Sequence, residues 1–143
     1  MNKIIITSMY ANPIHPGHVE CLEQSKQLGD YLIVIVNNDE QQKLKIGKVF
    51  QEEKFREKII SSIKPVDETF LSIDKDSSVC ESIRKVHKII KNRWPDSEFF
   101  FSKGGDRFVG NIPEVNVCKE LNIEIVDGLG KKIYSSTNFR GDS

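Results

Sequence analysis

Short apolar runs alternate with amphipathic stretches along the chain. Ile4 to Ile6 opens the series and leads through a turn into a segment where Val19, Leu22 and Leu28 recur on one helical face. Gly29 follows, a residue suited to a helix C-terminus. Tyr31 to Val36, reading YLIVIV, is almost wholly apolar, the pattern of a parallel strand covered on both faces. Asn37 to Phe50 is polar, with Lys43, Lys45 and Lys48 at its centre, and predicts a loop. The spacing of Phe55, Ile59 and Ile63 predicts a helix from about Gln51 to Ile63, ended by Pro65. A strand is expected within Val66 to Ile73.

Ser78 and Glu81 have capping-box spacing, and Val79, Ile83, Val86 and Ile90 form one stripe that runs up to Trp94-Pro95. Glu98 to Ser102, with Phe99, Phe100 and Phe101, predicts a fourth strand running into Lys103-Gly104-Gly105-Asp106-Arg107. A short helix from about Pro113 to Leu121 and a strand from Glu124 to Asp127 follow. Hydroxyls at Ser135, Ser136 and Thr137 suit the cap of a terminal helix. Alternation of this kind, without an internal repeat, predicts an α/β fold: a Rossmann-like, doubly wound, five-stranded parallel sheet with right-handed crossovers. At 143 residues the chain is expected to form a single domain, 1–143.

Composition narrows the classes of function. A hydrophobic fraction of 38% and a charged fraction of 29% suit a globular protein, and the formal net charge of zero gives no general attraction to nucleic acid or membrane. Any attraction for phosphate is therefore local. No apolar run approaches membrane-spanning length, and the N-terminus enters a strand without the basic start and apolar core of a signal peptide, so a cytoplasmic location is expected. Cys21, Cys80 and Cys118 are odd in number, far apart and in no C-x-x-C pair. They are expected to be reduced structural thiols rather than metal ligands or a nucleophile.

Candidate chemistry gathers between the first strand and the first helix, where a turn carries Asn12, Pro13, His15, Pro16, Gly17 and His18. Two imidazoles and a helix N-terminus thus meet at the carboxyl end of a buried strand. Ligands bind there in open α/β sheets, and the helix end favours phosphate. Gly17 lets a ligand oxygen approach the backbone. Two histidines in a turn are by themselves an ordinary feature; it is their placement that points to a phosphate site. No carboxylate or thiolate stands nearby to complete a zinc set.

His15-Pro16-Gly17-His18 resembles the signature of the HxGH nucleotidyltransferase superfamily, particularly its cytidylyltransferase-like branch, and the resemblance extends with gaps from about Lys3 to Arg140. Gly17 to Asn38 is similar to the corresponding segment of glycerol-3-phosphate cytidylyltransferases and of the adenylyltransferase domain that activates heptose phosphates. Leu44-Lys45, Arg56 with Val66-Asp67, and Lys103-Gly104-Gly105-Asp106 match in order and approximate spacing. Ser135-Ser136-Thr137 with Arg140 is similar to the closing S-S-T-x-x-R motif. The resemblance implies transfer of a nucleoside monophosphate to a small polyol or sugar phosphate such as glycerol 3-phosphate, with release of pyrophosphate. CTP is the favoured donor, and Mg2+ or another divalent cation accompanies it. Catalytic roles are implied for His15, His18, Lys45 and Arg140. Nucleotide binding is implied for Tyr10, Asn12, Gly17, Lys103, Gly104, Gly105, Asp106, Ser135, Ser136 and Thr137, and acceptor binding for Lys45 and Arg56. The metal ligands stay open. The implied partners are a nucleoside triphosphate and a small phosphorylated acceptor, with a homodimer expected and neither nucleic acid nor membrane.

The chemistry asks for such residues. A phosphomonoester has a second pKa of about 6, by analogy with phosphorylated side chains, and is largely ionised at neutral pH. What remains is to screen like charges, hold oxygens in line and stabilise growing phosphoryl charge, so the histidines are expected to be donors rather than bases. Plain readings stand beside these roles: a lysine among lysines is a solvated charge, a helical arginine a surface residue, paired glycines a turn. Ala11-Asn12 stands where many cytidylyltransferases have Phe-Asp, whereas Asn-Pro resembles other adenylyltransferases of the superfamily, which leaves the nucleobase open. The alternatives are an ATP-dependent adenylyltransferase acting on a heptose-like phosphate and a non-catalytic nucleotide-binding homologue. A class I aminoacyl-tRNA synthetase fragment fits neither the length, nor the neutral charge, nor the missing Lys-Met-Ser-Lys-Ser-like loop.

Overall fold

The computed structural model describes residues 2–104 and 112–129. Within them, strands β1 (Lys3–Met9), β2 (Tyr31–Val36), β3 (Glu68–Leu71), β4 (Glu98–Gly104) and β5 (Glu124–Leu129) are interleaved with helices α1 (Pro16–Gln27), α2 (Asp39–Ile46), α3 (Glu53–Ser61), α4 (Cys80–Arg93) and α5 (Ile112–Glu120). All strand pairs are parallel, in the order β3-β2-β1-β4-β5. The chain steps outward from β1 through β2 to β3 and then returns to β4 on the other side. The topological switch point therefore lies between β1 and β4, where open α/β sheets hold their ligands. This is the doubly wound single-domain architecture expected of the alternating pattern.

Alternate side chains of the central strands feed two cores, because successive residues point to opposite faces. Ile4, Ile6, Ile33, Ile35, Phe99 and Phe101 pack with Val79, Ile83, Val86 and Ile90 of the α4 segment and with Val117 and Cys118 of α5. Ile5, Leu32, Val34 and Val36 pack on the other face with Leu22 of α1 and Ile60 of α3. Among the described residues, no helix is long and apolar enough to cross a membrane.

Gly29 directly follows Leu28, the C-cap of α1, and so stands where the helix is expected to stop. A Cβ at Gly29 would lie 2.8 Å from the Lys3 carbonyl oxygen and 2.9 Å from Lys3 Cβ, so the glycine permits a close approach to β1. Several local expectations give way to tertiary constraints. The expected Ser78/Glu81 capping box is replaced by the Asp74 carboxylate, which accepts from the Glu81 and Ser82 N–H groups at 2.8 and 2.9 Å. The segment read as a loop contains α2. Its N-cap Asn38 accepts from Gln41 N–H, the Gln41 side chain accepts from Asn38 N–H, and Gly47 closes the helix in the left-handed conformation at φ 77°.

Helix α3 sits with the opposite face inward from the one its apolar spacing predicts. Phe55 and Ile59 are 60% and 37% exposed, whereas Arg56 and Ile60 are buried. The cause is the guanidinium of Arg56, which donates from Nε to Gln51 O, from one terminal nitrogen to Tyr10 O and Asn37 O, and from the other to Asp39 Oδ1, all at 2.7 to 2.9 Å. Tyr10 and Asn37 directly follow β1 and β2, so one side chain ties two strand ends to the starts of α2 and α3. Asp39 N–H adds a bond to Glu53 Oε1 at 2.8 Å.

Removing this group leaves buried carbonyls and the Asp39 carboxylate without their donor. Arg56→Ala is expected to lower unfolding stability by about 3 to 5 kcal/mol, the range for breaking a buried charge pair. Arg56→Lys, which keeps the charge but loses the planar fork, should fall between Ala and wild type. Urea titration of the three proteins checks the order; equal midpoints for Ala and wild type would remove Arg56 from the framework.

Candidate active site

The turn between β1 and α1 builds the site from its own backbone bonds. His15 is the N-cap of α1 and Pro16 its first residue, a place where the missing proline N–H costs nothing. Gly17 N–H donates to His15 Nδ1 at 3.1 Å, and His15 N–H donates to His18 Nδ1 at 3.0 Å. His18 N–H donates to His15 O at 2.9 Å. The first-turn N–H groups of Gly17 and His18 are thus engaged within the turn, and a phosphate arriving there meets imidazoles in place of the bare helix end foreseen from the sequence.

Those bonds decide the protonation of both rings. An Nδ1 that accepts carries no proton, so each neutral imidazole carries its proton on Nε2 and offers it as a donor. The rings lie against each other, with centroids 3.9 Å apart and a tilt of 35°. His15 is only 7% exposed, and burial lowers its pKa. His18 is lowered to about 3, by burial first and then by the charges of His15 and Lys45. Both are therefore neutral donors at ordinary pH.

Other expected site residues fall around this turn in different ways. Asn12 is fully buried, and its Oδ1 accepts from Gln51 N–H at 2.8 Å. Ala11 beside it has a φ of 50°, a left-handed backbone unusual for a residue with a Cβ. Lys45, exposed on the last turn of α2, places Nζ 4.2 Å from the centre of the Tyr10 ring. Tyr10 is half-buried, and its phenol is raised by burial and then by Glu114, against the pull of Arg56. Arg56, expected at the acceptor's phosphate, stands buried in the wall behind Tyr10 with four of its five N–H donors on Tyr10 O, Asn37 O, Gln51 O and Asp39 Oδ1.

Lys103 and Gly104 end β4, where the pairing with β5 shifts register between Ser102 and Gly104. Gly105, Asp106, Ser135, Ser136, Thr137 and Arg140 lie outside the described residues. Among the described residues no three His, Cys, Asp or Glu side chains gather where they would hold a metal ion. The cysteines are free thiols, raised by burial, Cys118 to about 12. That suits structural roles. The residues that the sequence concealed are those that hold α2 in place: Asn38, Gln41 and Glu53. The Asn38-x-x-Gln41 spacing was the available signal for two of them.

Folded His18 protonates only near pH 3, whereas its unperturbed imidazole does so near 6.5. Across that window the unfolded chain binds the extra proton, so the contribution of His18 to stability is full above about pH 6.5 and is lost as pH falls. In His18→Asn the amide oxygen stands in for Nδ1 and nothing titrates. Urea midpoints measured from about pH 7 to pH 4 should fall less steeply in this variant than in wild type, and parallel slopes would assign the acid sensitivity to other groups.

Known proteins resemble this chain. The family described as Cytidylyltransferase-like matches residues 10–141. The FAD synthase of Picrophilus torridus is 36% identical over 140 residues, covering 98% of this chain and 87% of that protein. The FAD synthase of Ferroglobus placidus is 42% identical over 76 residues, covering 53% of this chain and 49% of that protein, about half of its length. The crystal structure of the lipopolysaccharide core biosynthesis protein from Thermoplasma volcanium has a TM-score of 0.69, with 92% of this chain and 99% of that one covered at 22% identity, a likeness of fold. The family match takes in the histidine turn and most of the chain after it, and a relative similar along nearly its whole length agrees, so the chain belongs to the cytidylyltransferase-like family.

Proposed function

We propose that this protein transfers a nucleoside monophosphate from a nucleoside triphosphate to the phosphate of a small acceptor. An acceptor phosphate oxygen attacks the α-phosphorus, a new phosphoanhydride forms, and the bond to the bridging oxygen breaks so that pyrophosphate leaves with the electron pair. The observation that carries the reading is the pair of neutral imidazoles whose Nδ1 atoms are committed to the turn, which puts the proton of each ring on Nε2, in the turn that leaves β1 beside the switch point of a parallel sheet. Donors of this kind stabilise charge that grows on phosphoryl oxygens, and they need no proton transfer to an acceptor already ionised.

Lys45 is the acceptor-side cation in this reading, and Arg56 acts through Tyr10, Asn37 and Asp39 as a positioning residue. Tyr10 and Gly17 line the nucleotide side, and Asn12, fully buried, acts from behind them through its bond from Gln51 N–H. Lys103 to Asp106 and Ser135, Ser136, Thr137 and Arg140 are assigned to base, ribose and triphosphate on the strength of their motifs. A divalent cation such as Mg2+ would arrive with the triphosphate and neutralise part of its charge.

Two donor and acceptor pairs come first. FAD is flavin mononucleotide joined to AMP, so the name of the Picrophilus torridus relative points to ATP with flavin mononucleotide. CTP with glycerol 3-phosphate is the second reading, favoured by the similarity of Gly17 to Asn38 to glycerol-3-phosphate cytidylyltransferases. Pyrophosphate release from a matrix of nucleoside triphosphates and phosphorylated acceptors tests both. Absence of acceptor-dependent release for every pair would favour a nucleotide-binding protein without turnover.

His15→Ala should reduce turnover by about a hundredfold or more, the loss typical of one transition-state donor. Because His15 is also an N-cap, the same change should cost about 1 kcal/mol of stability, so its folding is to be followed alongside the rate. His18→Asn should show a comparable loss of turnover while keeping the acceptor for His15 N–H. Near-normal turnover in either variant places the chemistry elsewhere. Arg140→Ala should weaken triphosphate binding by about 1.5 to 3 kcal/mol, the range for a hydrogen bond to a charged group, and leave monophosphate binding nearly unchanged. Calorimetric titration with both nucleotides separates the two, and equal weakening would remove the arginine from the leaving group.

A further inference from the structure

Lys45 has a long flexible stem on the last turn of an exposed helix, a poor basis for holding a charge in one place. Its ammonium nonetheless stands 4.2 Å from the centre of the Tyr10 ring, within range of a cation–π contact. The ring is far better fixed than the lysine. Tyr10 O accepts from Arg56 at 2.8 Å, and the carbonyl of the preceding Met9 accepts from Asn37 N–H at 3.0 Å, so the backbone that carries the ring is bound on both sides. Lys48, in the same basic stretch, stands over a different ring, that of Phe50, at 4.7 Å. The two lysines are thus sorted by aromatic partner, and Lys45 is the one placed beside the histidine turn. Its charge reaches that turn, since it contributes to keeping His18 neutral.

We propose that Tyr10 is a positioning residue for Lys45: its ring face holds the ammonium beside the histidine turn in the free protein and releases it to the acceptor's phosphate. This rests on the transfer reading above. An exposed cation–π contact is weaker than a charge-assisted hydrogen bond to a phosphate dianion, so the ring keeps the lysine close and gives it up to the substrate at a small cost. Tyr10 then acts through another side chain and touches no reacting atom. The aromatic face, not the hydroxyl, performs the role, which makes Phe a conservative replacement and Leu a disruptive one.

The test begins with the proton shifts of the Lys45 ε-methylene, which a ring face moves upfield. Wild type and Tyr10→Phe should show the upfield shift, and Tyr10→Leu should show ordinary lysine values. Titration with glycerol 3-phosphate, and separately with inorganic phosphate, should move the wild-type signals downfield as the ammonium leaves the ring. In the pyrophosphate assay Tyr10→Leu should lower the acceptor KM about two- to fivefold, because a contact made only in the free protein opposes binding by its own worth, with Tyr10→Phe keeping the wild-type value. Ordinary Lys45 shifts in wild type, or equal KM effects for Phe and Leu, overturn the proposal. A ring-shifted Lys45 that neither phosphate moves overturns the release step. Absence of pyrophosphate release with every nucleotide and acceptor, the ring shift being intact, overturns the transfer reading instead.

Discussion

A parallel sheet delivers its strand ends to one edge, but nothing in the sheet's own hydrogen bonding fixes the loops that leave it. Here the loops after β1 and β2 are joined by one buried guanidinium, whose partners are Tyr10 O, Asn37 O, Gln51 O and the Asp39 carboxylate. A planar fork meets carbonyls from several directions at once, which an ammonium on a flexible stem cannot do. Burial of the charge is tolerated because its donors meet carbonyl and carboxylate oxygens; left unpaired it would be costly. Phe55 and Ile59 face solvent as a consequence, since α3 turns the Arg56 side inward.

The histidine turn follows the same economy on a smaller scale. Gly17 N–H and His15 N–H must be satisfied when the chain enters α1, and the acceptors within reach are the two Nδ1 atoms. Satisfying the backbone therefore selects the tautomer of both rings, and burial keeps them neutral. Structural and chemical requirements are met by one set of bonds. A substitution at His15 disturbs helix entry and donor placement together, whereas an Asn at His18 separates them.

How much was legible in the sequence depended on what each element buries. β1, β2 and β4, and the stripe from Val79 to Ile90, read clearly because hydrophobic burial selects their residues. Helix α2 did not read as a helix, since its buried residues are Gln41 and Gln42 while Leu44 is 61% exposed. Periodicity of apolar residues is silent about a helix whose inward face is polar. His15, Gly17 and His18 were visible as a site because strand, turn and helix follow one another in sequence. The framework role of Arg56 was hidden, since its partners come from three separate segments that only the fold brings together.

That polar inward face bears on how the site is held. Gln41 donates to Asp76 O and Ser78 O and accepts from Asn37 and Asn38, so the start of α2 is pinned by directional bonds. Asn38 adds bonds to Ser72 O and Asp74 O. At its far end Gly47 closes the helix by a left-handed turn, and the Lys45 ammonium stands over the Tyr10 ring. A helix anchored at one end by hydrogen bonds, without a buried apolar stripe along its length, has a low cost for small displacements of the other end. The two histidines sit on the rigid side of the site, locked by the turn and by α1. Lys45 sits on the compliant side. In the proposed transfer a triphosphate and an acceptor phosphate repel each other as they approach, and a cation that can adjust its position between them would suit that task better than one held as stiffly as the imidazoles.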